Sequence, residues 1–126
     1  MISNIYIFLI FYILISLSVI GYGQLFFSLN KKLKISSNFG YAGLTGVLLL
    51  CLYSYITSFL YKHGSIHNLI LILCGFIYFS CFIYKNIKNN LKNLLILGLL
   101  LGVYLIGVFI FKTHDDFSYY HFQYSY

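Results

Sequence analysis

The sequence predicts an all-α integral membrane bundle of four transmembrane helices followed by a short interfacial segment. Three observations carry that prediction. First, the 126 residues are 61% hydrophobic and only 8% charged, whereas a soluble domain carries about 25% charged residues. So little charge cannot cover a water-facing surface. Second, four stretches are long enough to cross a bilayer, which takes about 20 apolar residues in a helix. Third, the lysines gather in short links between those stretches, and neither acidic residue occurs before position 115.

The first element covers about residues 5–29. No Lys or Arg precedes its apolar run, and the run exceeds the roughly 7–15 residues of a signal-peptide core. It reads as a retained transmembrane helix. The second covers about 40–60, the third about 68–84 and the fourth about 93–111, so residues 1–111 form the transmembrane region. Proline is absent, in keeping with uninterrupted helices. The runs do not alternate between polar and apolar residues, which argues against a β-barrel.

Three short links join these elements: "NKKLKISSNF", "YKHGSIH" and "KNIKNNLKN". Links this short make neighbouring helices antiparallel. Lys31, Lys32 and Lys34 lie in the first link and Lys85, Lys88 and Lys92 in the third. The second link holds only Lys62 and the tail only Lys112. Positive loops stay inside, so links one and three are expected in the cytoplasm. The N-terminus, the "YKHGSIH" loop and the 112–126 tail are then expected on the outer face of a bacterial inner membrane. The net charge of +6 is explained by this orientation, and nucleic acid is not an expected partner. The expected partner is the lipid bilayer itself.

Within the spans, small residues mark expected helix contacts, because lipid supplies little hydrophobic drive for association and close backbone approach must replace it. Gly98 and Gly102 form a GxxxG in the fourth helix, which suits intramolecular packing or a homodimer seam. Ala42 and Gly46, with Gly40 and Gly43, form a small-residue face at the start of the second. "GYGQ", Gly21 to Gln24, reads as a close packing point in the first, with Gln24 at interface level. Cys51, Cys74 and Cys81 all fall in apolar runs and read as small packing residues rather than a disulfide framework. No ionisable side chain lies deep in the predicted spans, against a cation-coupled transporter, whose ion needs one.

The chain ends "KTHDDFSYYHFQYSY". Thr113 and Asp116 match a capping box, and acids in a first turn suit the helix dipole. The tyrosines that follow suit headgroup depth, so "FSYYHFQYSY" reads as an interfacial helix. The same residues also permit chemistry. In a turn, Asp115 and Asp116 reach one divalent cation, Mg²⁺ or Mn²⁺, which prefers carboxylate oxygens. Alternatively, one carboxylate acts as a general base on a sugar hydroxyl. His114 and His121 flank the pair, at a spacing that is not a standard zinc pattern.

"HDDFSYYHFQYSY", and to a lesser degree "SFLYKHGSIHNLILIL", resembles the N-terminal part of GT-C-type membrane glycosyltransferases from bacterial surface-polysaccharide loci. In those enzymes an extracytoplasmic acidic motif lies beside a lipid-phosphate-sugar donor. The resemblance implies a transferase using polyprenyl-phosphate-linked sugars. Asp115 and Asp116 would be its catalytic or metal-binding pair, and His114, Tyr120 and His121 would contact substrate. The family's acidic motif commonly follows the first helix, here the fourth, and its members carry more helices. The resemblance therefore implies an N-terminal fragment, inactive alone. Two other readings stand beside it. One is a complete small four-helix protein similar to the GtrA type, which is proposed to assist translocation of lipid-linked sugars. The other is a non-catalytic membrane subunit.

Overall fold

A computed structural model describes residues 2–30 and 38–110. These are helical apart from the turn at 59–64 and the helix flanks, and no strand occurs among them. The helices are α1 (Ile2–Leu29), α2 (Phe39–Ser58) and α3 (Ser65–Ile110). Four helical stretches among the described residues are long and apolar enough to cross a membrane: Ile5–Leu29, Phe39–Ser58, Ser65–Lys88 and Asn90–Gly107. The expected third and fourth spans thus both belong to α3. The "KNIKNNLKN" link is helical, not a loop, with a single non-helical residue at Asn86 (φ −127°, ψ 25°). The reason is compositional: the link holds no glycine or proline to stop a helix, and lysine propagates one well. Asparagine side chains compete for helix carbonyls, and here Asn86 Nδ2 donates to the Phe82 carbonyl and Asn90 Nδ2 to the Asn86 carbonyl, both at 3.1 Å.

The chain divides into two units, Met1–Leu94 and Leu95–Tyr126. In the first, three helical segments run up, down and up. Their register shows it. Val19 lies against Gly46 and Gly23 against Ala42, so α1 and α2 are antiparallel. Phe39 meets Phe79 edge-on and Tyr53 stacks on His67, so α2 and α3 are antiparallel as well. The closest approaches are backbone to backbone. A Cβ built on Gly46 would run into the Val19 carbonyl, one on Gly23 into the Ala42 carbonyl, and one on Gly21 into the Gly75 carbonyl. The small-residue faces expected at Gly21, Gly23, Ala42 and Gly46 are these seams. Gly75 is the counterpart on α3. The second unit contributes helical residues 95–110, where a Cβ added at Gly98 or Gly102 meets no described atom of its own unit within 4 Å. The GxxxG is not an internal seam of that unit.

Hydroxyls within the spans return to their own helices. Ser16, Thr45 and Ser80 each donate to the carbonyl four residues earlier, at 2.8–2.9 Å. In lipid no water can take those bonds. Two tyrosines instead cross between helices: Tyr22 Oη donates to the Leu71 carbonyl and Tyr78 Oη to Ser28 Oγ, both at 2.7 Å. Most large apolar side chains of the first unit, Leu44, Leu48, Leu52 and Ile56 among them, face outward. The three cysteines are free and exposed rather than packed.

Gln24 departs from the expected interface position. It is fully buried, at 1% exposure, and neither amide atom has a hydrogen-bond partner among the described residues. An orphaned buried polar group costs about 1–3 kcal/mol. Gln24→Leu is therefore expected to raise stability toward SDS unfolding in mixed micelles by about that amount. A variant that unfolds more readily than the parent would show that the amide has a partner.

Candidate functional site

The turn between α2 and α3 builds a polar cluster at one end of an apolar cavity. Thr57 is its hub. It is buried, and its carbonyl accepts from the Leu60 and Tyr61 amides at 3.0 and 3.1 Å, which folds the chain back on itself. Its hydroxyl lies 2.7 Å from the Tyr53 carbonyl and 2.7 Å from His63 Nε2. One hydroxyl has one hydrogen. If that hydrogen goes to the Tyr53 carbonyl, His63 donates from Nε2–H to Thr57 Oγ1; if it goes to His63 Nε2, that nitrogen is the acceptor. Either way Thr57 ties the turn to His63.

Around this hub the rings close up. The His63 and His67 imidazole centroids are 5.0 Å apart. Tyr53 lies nearly parallel to His67 at 5.9 Å, and Tyr61 meets His67 edge-on at 5.3 Å. The Tyr53 and Tyr61 hydroxyls are 3.3 Å apart. His67 Nε2 is buried and has no hydrogen-bond partner among the described residues. His67 was expected in the link but belongs to the first turn of α3, because that helix begins at Ser65, three residues earlier than predicted.

The cavity runs from this cluster as a partly open groove along the three helical segments and has a volume of about 470 Å³. Tyr53 and His67 form its polar end. Leu49 and Leu50 of α2, Ile70, Leu71 and Cys74 of α3, and Tyr22 of α1 form the rest. His67 and Cys74 are seven residues apart, so the cavity follows α3 for about 10 Å at 1.5 Å per residue. Its volume falls within the range of about 300–1,000 Å³ typical of small-molecule sites. No acidic residue occurs in residues 1–94, while Lys62 adjoins the cluster in sequence. Such a groove has the lining to take an elongated apolar body, with imidazole and phenol groups at one end.

The sequence-derived candidates lie elsewhere. His114, Asp115, Asp116, Tyr120 and His121, with the rest of the interfacial segment 112–126, are outside the described residues. Among the described residues no group of three or more His, Cys, Asp or Glu is placed to hold a metal ion. His63 and His67 were not singled out from sequence. The available signal was two histidines four residues apart at a helix start, with tyrosines at 53 and 61.

Spans of this length, with apolar side chains facing outward along them, define a polytopic, all-helical integral membrane protein. No family model matches the chain, and no curated protein or solved structure matches it either.

Proposed function

We propose that this membrane protein handles polyprenyl-phosphate-linked sugars in cell-surface glycan synthesis, as part of a GT-C-like transferase of the bacterial cytoplasmic membrane. The observation that supports this reading is the cavity. It is apolar along most of its length, polar at one end, and lies as a partly open groove between three apolar helices. An isoprenoid chain is the kind of ligand such a shape accommodates, with a part of the chain inside and the head at the His67 end. In the orientation expected from the lysines, that end belongs to the outer face. Asp115 and Asp116 are the proposed base or metal ligands, with His114, Tyr120 and His121 contacting substrate.

The chain-binding part is tested with a photoreactive isoprenoid alcohol and the protein in nanodiscs. Crosslinks are expected at residues 49–50 and 70–74. Leu71→Trp, which fills the cavity, is expected to cut them about tenfold, equivalent to about 1.4 kcal/mol of affinity. Labelling spread evenly over outward-facing residues such as Leu44 and Leu48, and indifferent to Leu71→Trp, would overturn the reading.

A further inference from the structure

We infer that His67, with His63 beside it, is the seat for the phosphate of the lipid whose chain occupies the cavity. The inference rests on the chain-binding reading above and adds the recognition of the head. Four observations lead to it.

The first is position. His67 lies where the apolar lining ends, and its ring is a wall of the cavity. The second is an unfilled hydrogen-bonding capacity. His67 Nε2 is buried and has no partner among the described residues, although Tyr53, Tyr61 and His63 all touch or approach its ring. Those neighbours fix the plane of the imidazole without using its nitrogen. A ligand atom would complete it, and buried polar groups are almost always paired.

The third observation is the sign of the site. Residues 1–94 contain no Asp or Glu, and Lys62 lies next to His63 in sequence. An anion placed there meets no carboxylate of that unit. An imidazolium at position 67 is in turn well placed against the Tyr53 ring face, which attracts cations. The site also adjoins the start of α3, whose first-turn amides have no intrahelical acceptors and favour negative charge. The fourth is the second ring nitrogen of His63. Thr57 engages Nε2, which leaves Nδ1 as an acceptor or a donor, according to the tautomer and charge of the ring. A phosphate supplies either partner, as oxyanion or as acid hydroxyl. An uncharged alcohol satisfies one hydrogen bond and gains nothing from the charge.

The test uses the full chain in nanodiscs of zwitterionic lipid with two photoreactive probes of equal chain length, an isoprenoid phosphate and the isoprenoid alcohol. The wild-type protein is expected to prefer the phosphate by about tenfold, the scale of one charge-assisted hydrogen bond. His67→Ala should bring the two probes to about equal labelling of the cavity residues. Far-UV circular dichroism and the SDS-unfolding midpoint of the variant report that the three-helix unit is still folded. Inorganic phosphate at the probe's concentration should not compete, since it lacks the chain. If the alcohol labels the cavity and the wild type shows no preference for phosphate, the seat is wrong and the chain-binding reading survives. Phosphate preference that persists in His67→Ala, or that inorganic phosphate abolishes, also overturns it. If neither probe labels the cavity, the chain-binding reading falls, and the seat with it.

Discussion

Gly46→Leu is expected to destabilise the first unit by more than any other single substitution in α2. The reason is which atom the new side chain meets. At Gly46 it is the Val19 carbonyl, and at Gly23 the Ala42 carbonyl. A crowded side chain can change rotamer, but a helix carbonyl cannot, so the α1 and α2 axes must separate. Separation removes the close contact that holds helices together where lipid is as apolar as leucine. Overpacking commonly costs about 1–3 kcal/mol, occasionally more. With backbone on the far side, Gly46→Leu belongs at the upper end of that range. Gly98→Leu is the control, because no described atom of its own unit lies within 4 Å of an added Cβ. It should be neutral or gain up to about 1 kcal/mol from helix propensity. Unfolding by SDS in mixed micelles, followed by far-UV circular dichroism, measures both. Equal midpoints for Gly46→Leu and Gly98→Leu would mean that the α1–α2 seam is not the one described.

The same glycines show how far the sequence could be read. The spans were legible because twenty-residue apolar runs leave few alternatives, and the α1–α2 seam was legible because small residues cluster on both helices. Gly75 carries equal weight, yet it stands alone between Cys74 and Phe76, without a motif. Gly98 and Gly102 do form a motif, and it marks no seam within their unit. A spacing rule reports what a face permits, while the partner decides what it does. The helical link at residues 85–93 was misread because lysines and asparagines look like a loop by polarity, although nothing in them stops a helix. Gln24 was placed at the interface for the same reason: an amide reads as polar, and its burial depends on how close Gly21 and Gly23 bring the neighbouring helices. The His63–His67 cluster depends on Thr57 folding the turn back, a contact between residues whose spacing carries no signature.

Asp115→Asn or Asp116→Asn is expected to lower glycan formation by about 10²–10⁴-fold, the usual contribution of a general base. That follows if the proposed transferase reading holds and one of these carboxylates takes the acceptor's proton. Asparagine keeps the size and one acceptor oxygen but cannot accept that proton. The competing role is capping, with Thr113 as N-cap and Asp116 at the third helical position. Capping predicts a different pattern. Asp116→Asn then costs about 1 kcal/mol or less, since Asn remains a serviceable cap-region acceptor, and Asp115→Asn is nearly silent. Thr113→Ala becomes the most damaging of the three, at about 0.5–2 kcal/mol. A loss of that size lowers the amount of folded protein several-fold at most, far short of the catalytic effect. Cells carrying each variant are assayed for surface glycan and for membrane level of the protein together. Catalysis requires that at least one Asp variant lose product while its membrane level holds. If product falls only in step with abundance, or if Thr113→Ala is the worst of the set, the two carboxylates begin an interfacial helix and the proton acceptor lies elsewhere.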